Sequence, residues 1–330
     1  MPSKYQLFDR SKLRVLPISE RKSLLDTSII AIPTPCEKVH PSLEIIAENL
    51  ATARDNGSSR ILMIGAHVLR SGMQKYLFDI MEKGLISCIA VNGACAIHDF
   101  EYALHGRTTE SVATYISNGQ FGLWQETGIL NDIINEAAKD GRGFGEAVGE
   151  YIVKNKLDHA DISLFAKAYE LNIPITVHVG IGYDIVHEHP NCNGAAVGQA
   201  SYTDFLIFAE ALESLEGGVV MNFGSAVMAP EIYLKALSMV RNAATVSGKE
   251  KAICHFTTLV CDLHDLPEKV NIEASKTNAE YYFRPWKTML IRTVADGGRS
   301  YYVRGFHADT IPQLWTAIKK KSPAGQNFVE

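Results

Sequence analysis

The sequence lacks the features that would place it in a membrane or in a disulfide-bonded class. Its six cysteines form no CxxC pair and mostly stand in apolar, strand-like contexts, which indicates buried reduced thiols. No apolar run approaches the roughly 18 residues of a membrane-spanning helix. The first residues also lack the apolar core of a signal peptide. We therefore expect a cytoplasmic protein with no membrane partner.

The sequence also has little excess charge and no low-complexity tract. A net charge of -5 offers no basic face for nucleic acid, so we expect no nucleic-acid partner. With 330 residues, of which 46% are hydrophobic, the chain is long enough to bury a substantial core. Composition alone does not select a function.

What the sequence does contain is an alternation of apolar, strand-like runs and amphipathic helical stretches. This alternation predicts an α/β fold, a doubly wound and mostly parallel sheet with helices on both faces. Residues 1–40 are interpreted as an N-terminal arm and residues 41–330 as one domain. Within that domain we predict a helical insertion at about 100–158 and a β-hairpin at about 288–304. The strand candidates are residues 60–67, 87–91, 175–179, 217–226 and 252–261.

Three of the predicted strands end in small residues next to polar ones. Glycines at such ends let backbone N–H groups approach a phosphate, and several ends side by side form a dinucleotide cradle. Taken singly, each such end is more often explained by tight packing between strand and helix, and it is their recurrence at successive strand ends that favours binding. None of the segments matches the GxGxxG fingerprint, so ordinary Rossmann-type binding is not expected. The candidate cofactor-binding residues are Gly65, His67, Ser71, Gly72, Asn92, Gly93, Gly224 and Ser225.

A polar loop follows the strand that starts at residue 175. His178, His187 and His189 with Cys192 have ligand chemistry, so a divalent metal is an open alternative, although His-x-His with a nearby cysteine is not a defined zinc spacing. Asp184 is the residue of this loop best suited to a cationic substrate, because a carboxylate in a closed site pairs strongly with an ammonium group.

Lys287 directly follows Trp286. A lysine held against an indole loses hydration, which lowers its pKa and lets it form an imine with a carbonyl carbon. The alternative is a surface lysine whose aliphatic stem lies along the ring.

The order of these elements resembles the deoxyhypusine synthase family, which includes the homospermidine synthases. Residues 61–73, 89–99, 166–175 and 307–314 are similar to that family's segments, and the pair Trp286-Lys287 looks like a shortened form of its Ser-Trp-Gly-Lys motif. The resemblance implies bound NAD, with Asp99 and Asp309 at cofactor positions. It also implies a homotetramer, Lys287 as the catalytic lysine, and Glu280 as a substrate carboxylate.

The function implied by this resemblance is NAD-dependent transfer of an aminobutyl group from a polyamine to an amine acceptor through a lysine imine. Asp184, Glu280 and Trp286 would hold the small amine substrate, and His178 or His187 would move protons. The sequence departs from the family where residues 223–230 replace a histidine-containing segment. Two alternatives stay open: a metal-dependent hydrolase or lyase that uses His178, His187 and His189, and a nucleotide-binding protein that has lost catalysis.

Overall fold

Apolar residues at consecutive positions of the strands build a sheet that is buried on both faces. In the strand Arg60–Ile64, Leu62 and Ile64 join one hydrophobic cluster, whereas Ile61 and Met63 join the other. Side chains of a strand point alternately to opposite faces, so a run without polar positions requires cover on both sides. The computed structural model describes residues 3–249, 252–267, 270, 272–277 and 279–321.

The described residues form a six-stranded sheet in which each pair of neighbouring strands is parallel. Its strands are β2 (Arg60–Ile64), β3 (Cys88–Asn92), β5 (Ile175–His178), β6 (Val219–Phe223), β7 (Thr257–Asp262) and β8 (Arg299–Arg304). A separate two-stranded antiparallel sheet consists of β1 (Leu25–Asp26) and β4 (Arg107–Thr108).

Helices cover both faces of the large sheet, which confirms the predicted α/β architecture. Buried residues of α1, α4, α7 and α11 belong to one cluster, and those of α10 belong to the other. The helices are α1 (Pro41–Asp55), α2 (His67–Arg70), α3 (Gln74–Glu82), α4 (Gly93–His105), α5 (Val112–Ile116), α6 (Ile129–Asp140), α7 (Phe144–Lys154), α8 (Leu164–Glu170), α9 (Gly194–Leu212), α10 (Met228–Val246) and α11 (His307–Lys321).

The N-terminal arm packs against its own chain. Arg21 lies in the interior and forms a bidentate ion pair with Glu101 of α4, at 2.7 and 3.0 Å. The arm is also held by β1, which pairs with β4. Directly after β1, Thr27–Ile29 forms a 3-10 helix. The arm therefore forms one wall of the region above α4.

The predicted β-hairpin at 288–304 is wrong. Trp286–Ile291 forms a π-helix and Arg292–Val294 a 3-10 helix, and β8 pairs in parallel with β7. A short apolar run fits a buried helix as well as a strand. Here Met289 and Leu290 are buried in the cluster beside α10, so the run supplies a crossover that brings β8 into the sheet as a parallel strand.

The strands lie in the order β5-β3-β2-β6-β7-β8. Numbered along the chain within this sheet, that is 3-2-1-4-5-6, the order of dinucleotide-binding Rossmann-like folds. The order reverses between β2 and β6. Ligands of open α/β sheets bind in the crevice beyond the carboxyl ends of the strands at such a reversal. In the part of the chain that the structure describes, no helix is both long and apolar enough to cross a membrane.

Candidate functional site

A cavity of 550 Å³ lies at the point where the strand order reverses. Its walls come from the carboxyl ends of four adjacent strands and the loops that follow them. The volume falls within the roughly 300–1,000 Å³ that is usual for small-molecule and cofactor sites. Of the predicted site residues, the structure brings together Gly65, His67, Asn92, Gly93, His178, Asp184, Gly224 and Ser225 around this cavity.

The backbones at the ends of β2 and β6 approach each other too closely for a side chain. A Cβ atom at Gly65 would lie 2.7 Å from the carbonyl oxygen of Gly224. Gly224 has φ +68°, and a Cβ atom there would collide with His307. Glycine at both positions therefore lets the ends of β2 and β6 approach each other and His307 closely, so that backbone rather than side chains borders the cavity there.

The turn after β2 occupies the place of the phosphate-binding loop but has a different composition. If Gly65 is taken as the first glycine of GxGxxG, His67 and Arg70 stand at the second and third glycine positions. The second glycine normally lets the backbone approach the pyrophosphate. This chain instead presents an imidazole and a guanidinium group there, and both line the cavity.

Arg70 is a cation without an acidic partner in the described chain. Its Nη1 contacts Nε2 of His67 at 3.3 Å, and its Nε is buried with no hydrogen-bond partner among the described residues. Burial and the charge of Arg70 lower the pKa of His67. A buried unpaired donor on a charged group costs free energy unless a ligand satisfies it.

Asp184 reaches the end of β3 from the loop after β5. Its carboxylate lies against Gly93, where the Cβ of any other residue would stand, and it accepts a hydrogen bond from the backbone N–H of Ala94. Burial raises the pKa of Asp184 to about 6, although that hydrogen bond acts the other way. His187 fixes the loop, because its Nδ1 accepts from the N–H groups of Gly182 and Asp184 at 3.3 and 3.2 Å.

His178 ends β5 as a buried, neutral imidazole. Its ring packs edge-on against Phe208, and Nε2 lies 2.9 Å from Oγ1 of Thr176. Burial lowers the pKa of His178 to about 3. An imidazole with this pKa is neutral at pH 7, so the predicted proton shuttle near neutral pH does not fit its environment.

A second cavity of 270 Å³ adjoins the first above α4, and Arg70, His98, Tyr183 and Asp184 line both. Its apolar lining comes from residues such as Ile97 and Phe121.

The polar wall of the second cavity includes Thr109 and Glu110. Thr109 has φ +67°, which is rare for a β-branched residue, and its Oγ1 is buried without a partner among the described residues. Glu110 accepts from the backbone N–H of Gly122 and from Nε1 of Trp124. Strain and unsatisfied polar atoms together are typical of a functional site.

Four predicted cofactor residues lie elsewhere. Asp99 is buried on another side of α4, where it accepts from Ser163 and the first N–H groups of α8. Gly72 is packed against the arm, the hydroxyl of Ser71 donates to the carbonyl of His67, and Asp309 is exposed in the first turn of α11. Ser71 and Gly72 were predicted from their place after a strand end, and Asp99 and Asp309 from the family resemblance. Neither signal determines the direction of a side chain.

Lys287, Trp286 and Glu280 lie in the segment between β7 and β8. Trp286 is buried, and its Nε1 donates to the carbonyl of Val270 at 2.7 Å. The ammonium of Lys287 lies 4.5 Å from the centre of the Tyr281 ring. The lysine therefore contacts a tyrosine rather than the indole, and it lines neither cavity.

The metal alternative finds no ligand cluster in the described residues: no three His, Cys, Asp or Glu side chains are placed to hold an ion. His189 is buried and its Nε2 lies 2.8 Å from the carbonyl of Gly122. His187 caps its own loop, and Cys192 is buried with its carbonyl bound by Arg10.

The sequence did not single out Arg70 as a site residue. It stands in a segment whose glycines were the predicted signal, and it follows Gly65 at the spacing of the third fingerprint glycine. That spacing is the signal in the sequence that points to Arg70, which lines the cavity.

No family model matches this chain, and no curated protein matches it. The solved structures that match this chain include a putative LOR/SDH protein from Methanococcus maripaludis S2, with 16% identity and a TM-score of 0.48 over 87% of this chain and 74% of that one. They also include the cyanobacterial arginine dihydrolase ArgZ, at 15% identity and a TM-score of 0.45 over 86% of this chain. A third is the ternary complex of AgrE with ornithine and NAD+, at 14% identity and a TM-score of 0.45 over 84%. This chain spans only 33% of the ArgZ and AgrE chains.

These findings correct the assignment to the deoxyhypusine synthase family, which was wrong. The solved structures named above are a putative LOR/SDH protein, ArgZ and AgrE rather than deoxyhypusine synthases. The aminobutyl transferase function that this assignment implied is therefore wrong as well. Lys287, its expected catalytic lysine, lies outside both cavities. Neither the metal-dependent hydrolase nor the noncatalytic alternative gains support from these neighbours.

Proposed function

We propose that this chain is an NAD-binding enzyme that holds the dinucleotide across the 550 Å³ cavity. One observation carries the proposal: the cavity lies where the strand order 3-2-1-4-5-6 reverses. That is where dinucleotides bind in folds with this order.

The residues around the cavity fit such a cofactor. Gly65 and Gly224 leave its base free of side chains. Arg70 offers a buried guanidinium Nε without a partner in the described chain, which suits an anionic pyrophosphate. Charge on Arg70 thus takes over the part that close backbone approach plays in the glycine fingerprint.

When bound, NAD supplies hydride transfer. The chain's own residues orient it and exclude water. Val227, Met228 and Ile232 form an apolar wall on the β6 side of the cavity. Nε2 of His67 accepts from Arg70, which leaves the proton of the neutral ring on Nδ1. His178 closes the β5 side as a neutral hydrogen-bonding group. A small amine substrate and a homo-oligomer remain predictions from the sequence.

Titration calorimetry of the full chain with NAD tests the proposal. We expect a single site, and we expect Arg70→Met to weaken binding roughly tenfold or more, because a hydrogen bond to a charged group is lost. Arg54→Met is the matched control, since Arg54 is exposed and pairs with Asp55 at the end of α1; its affinity should stay within about twofold of the wild type. Absence of NAD binding by the wild-type chain would overturn the proposal.

A further inference from the structure

The loop after β5 places a carboxylate where Rossmann-like folds need one. In these folds an acidic residue near the end of the second strand binds the hydroxyl groups of the adenosine ribose, and an arginine accommodates the 2′-phosphate of NADP. The second strand here is β3, which ends in Asn92 and Gly93. The side chain of Asn92 is used locally, as its Oδ1 accepts from the N–H of Cys95. The strand end itself therefore carries no acid.

We propose that Asp184, delivered from the loop after β5, is the ribose-binding carboxylate of this site and makes the protein select NAD over NADP. This inference rests on the proposed function. The carboxylate of Asp184 lies directly against Gly93, the first residue after β3. Asp184 lines both the large and the small cavity, so it stands at their junction.

The small cavity then receives the adenine. The small cavity lies above α4, on the β3 side of the reversal. In Rossmann-like folds the acidic residue that binds the adenosine ribose stands on this side. Ile97, Phe121 and Ile185 give it apolar walls. The buried Oγ1 of Thr109, which has no partner among the described residues, is available to the polar edge of the base.

The charges around the small cavity decide between the two cofactors. Arg21 and Glu101 neutralise each other in their bidentate pair. Arg70 contributes one positive charge, whereas Asp184 and Glu110 contribute two negative charges when both are ionised. The remaining balance is negative, so a 2′-phosphate would be repelled even though Arg70 is near. The ribose diol, in contrast, donates hydrogen bonds to a carboxylate.

Gly93 provides an independent way to move the carboxylate without changing its charge. A Cβ at this position would overlap the carboxylate of Asp184, which is the movable end of a side chain. Gly93→Ala should therefore displace Asp184 and keep the fold. Gly198→Ala is the control, because a Cβ at Gly198 in α9 meets nothing within 4 Å.

The experiment measures the dissociation constants of NAD and NADP by calorimetry for the wild type, Asp184→Asn, Gly93→Ala and Gly198→Ala. We expect the wild type to bind NAD roughly tenfold or more tightly than NADP. Asp184→Asn and Gly93→Ala should each reduce that ratio at least fivefold, mainly by weakening NAD, whereas Gly198→Ala should leave it unchanged. Circular dichroism checks that each variant is folded.

The possible failures are distinguishable. A wild type that binds NAD with a ratio unaffected by Asp184→Asn overturns the role of Asp184 and leaves the proposed function standing. A wild type that prefers NADP overturns the selectivity. A wild type that binds neither dinucleotide overturns both the inference and the proposed function.

Discussion

At the scale of single residues, the environment of Asp184 connects structure to pH. Its carboxyl is half-buried against Gly93, and burial raises its pKa to about 6. The titratable groups that line the two cavities together with Asp184 are His67, Arg70, His98, His178 and Tyr183 in the large cavity and Arg21, Glu101 and Glu110 in the small one. His98 is neutral at pH 7, since burial lowers its pKa to about 4. Asp184 is thus the acid of this junction that changes charge just below neutral pH.

We therefore predict that NAD binds more weakly as the pH falls. A carboxyl with a pKa of about 6 is ionised above that pH and protonated below it, and only the ionised form accepts both ribose hydrogen bonds. Between pH 8 and pH 5.5 the dissociation constant should rise about fourfold, from the fraction that stays ionised. Calorimetry at several pH values measures it. Protonation of His67 acts in the opposite direction, so the comparison is with Asp184→Asn; the same profile in both proteins would contradict the prediction.

The residues at the fingerprint positions explain why the sequence understated this site. The missing GxGxxG pattern suggested that ordinary Rossmann-type binding was absent, yet Gly65 holds the first position and Arg70 the third. The GxGxxG pattern indicates a loop whose backbone can approach a phosphate closely. It does not detect a site in which a cationic side chain would bind the phosphate instead. Likewise, Asp184 follows its own strand by several residues, and nothing in its neighbourhood along the chain indicates that it contacts Gly93.

At the scale of elements, a buried ion pair helps to hold the N-terminal arm, in addition to the pairing of β1 with β4. Arg21 and Glu101 are both buried, and Glu101 also accepts from the hydroxyl groups of Thr108 and Thr127 at 2.6 and 2.7 Å. A buried pair adds little over an apolar alternative, but the loss of one member leaves an uncompensated charge. The arm is therefore strongly specified in its position above α4.

We predict that Arg21→Ala lowers the free energy of unfolding by roughly 3–5 kcal/mol, measured by urea denaturation. Lys12→Ala is the control, because Lys12 forms an exposed pair with Asp9 at 3.9 Å; such pairs contribute at most about 1 kcal/mol. Equal, small effects of the two substitutions would show that the arm does not dock on α4 as described.

The crossover before β8 shows where sequence patterns stop at the element level. Met289 and Leu290 are buried, and a short apolar run fits a buried helix as well as a strand. From the sequence we predicted two strands in this region and therefore a hairpin. In the structure this run is helical, and Met289 packs in one cluster with residues of α10 and β7. Because the helical run crosses back over the sheet, β8 pairs in parallel with β7.

At the scale of the whole molecule, the alternation of strands and helices was sufficient to predict a parallel sheet with helices on both faces. Strand order was beyond reach, because it depends on which face each crossover takes. The reversal between β2 and β6 follows only from the pairing of Ile64 with Phe223. Strand order also determines which loops meet. The likeness of short segments to another family carries no information about this order, and the site positions that it implied for Lys287 and Asp309 lie outside both cavities.

The most direct test of the central claim is a crystal structure of the chain grown with saturating NAD. We expect the pyrophosphate beside Gly65 and Arg70 and the adenosine on the β3 side next to Asp184. Density for NAD outside the 550 Å³ cavity, or a cavity without the dinucleotide at saturating concentration, would contradict the claim that this strand reversal is the cofactor site.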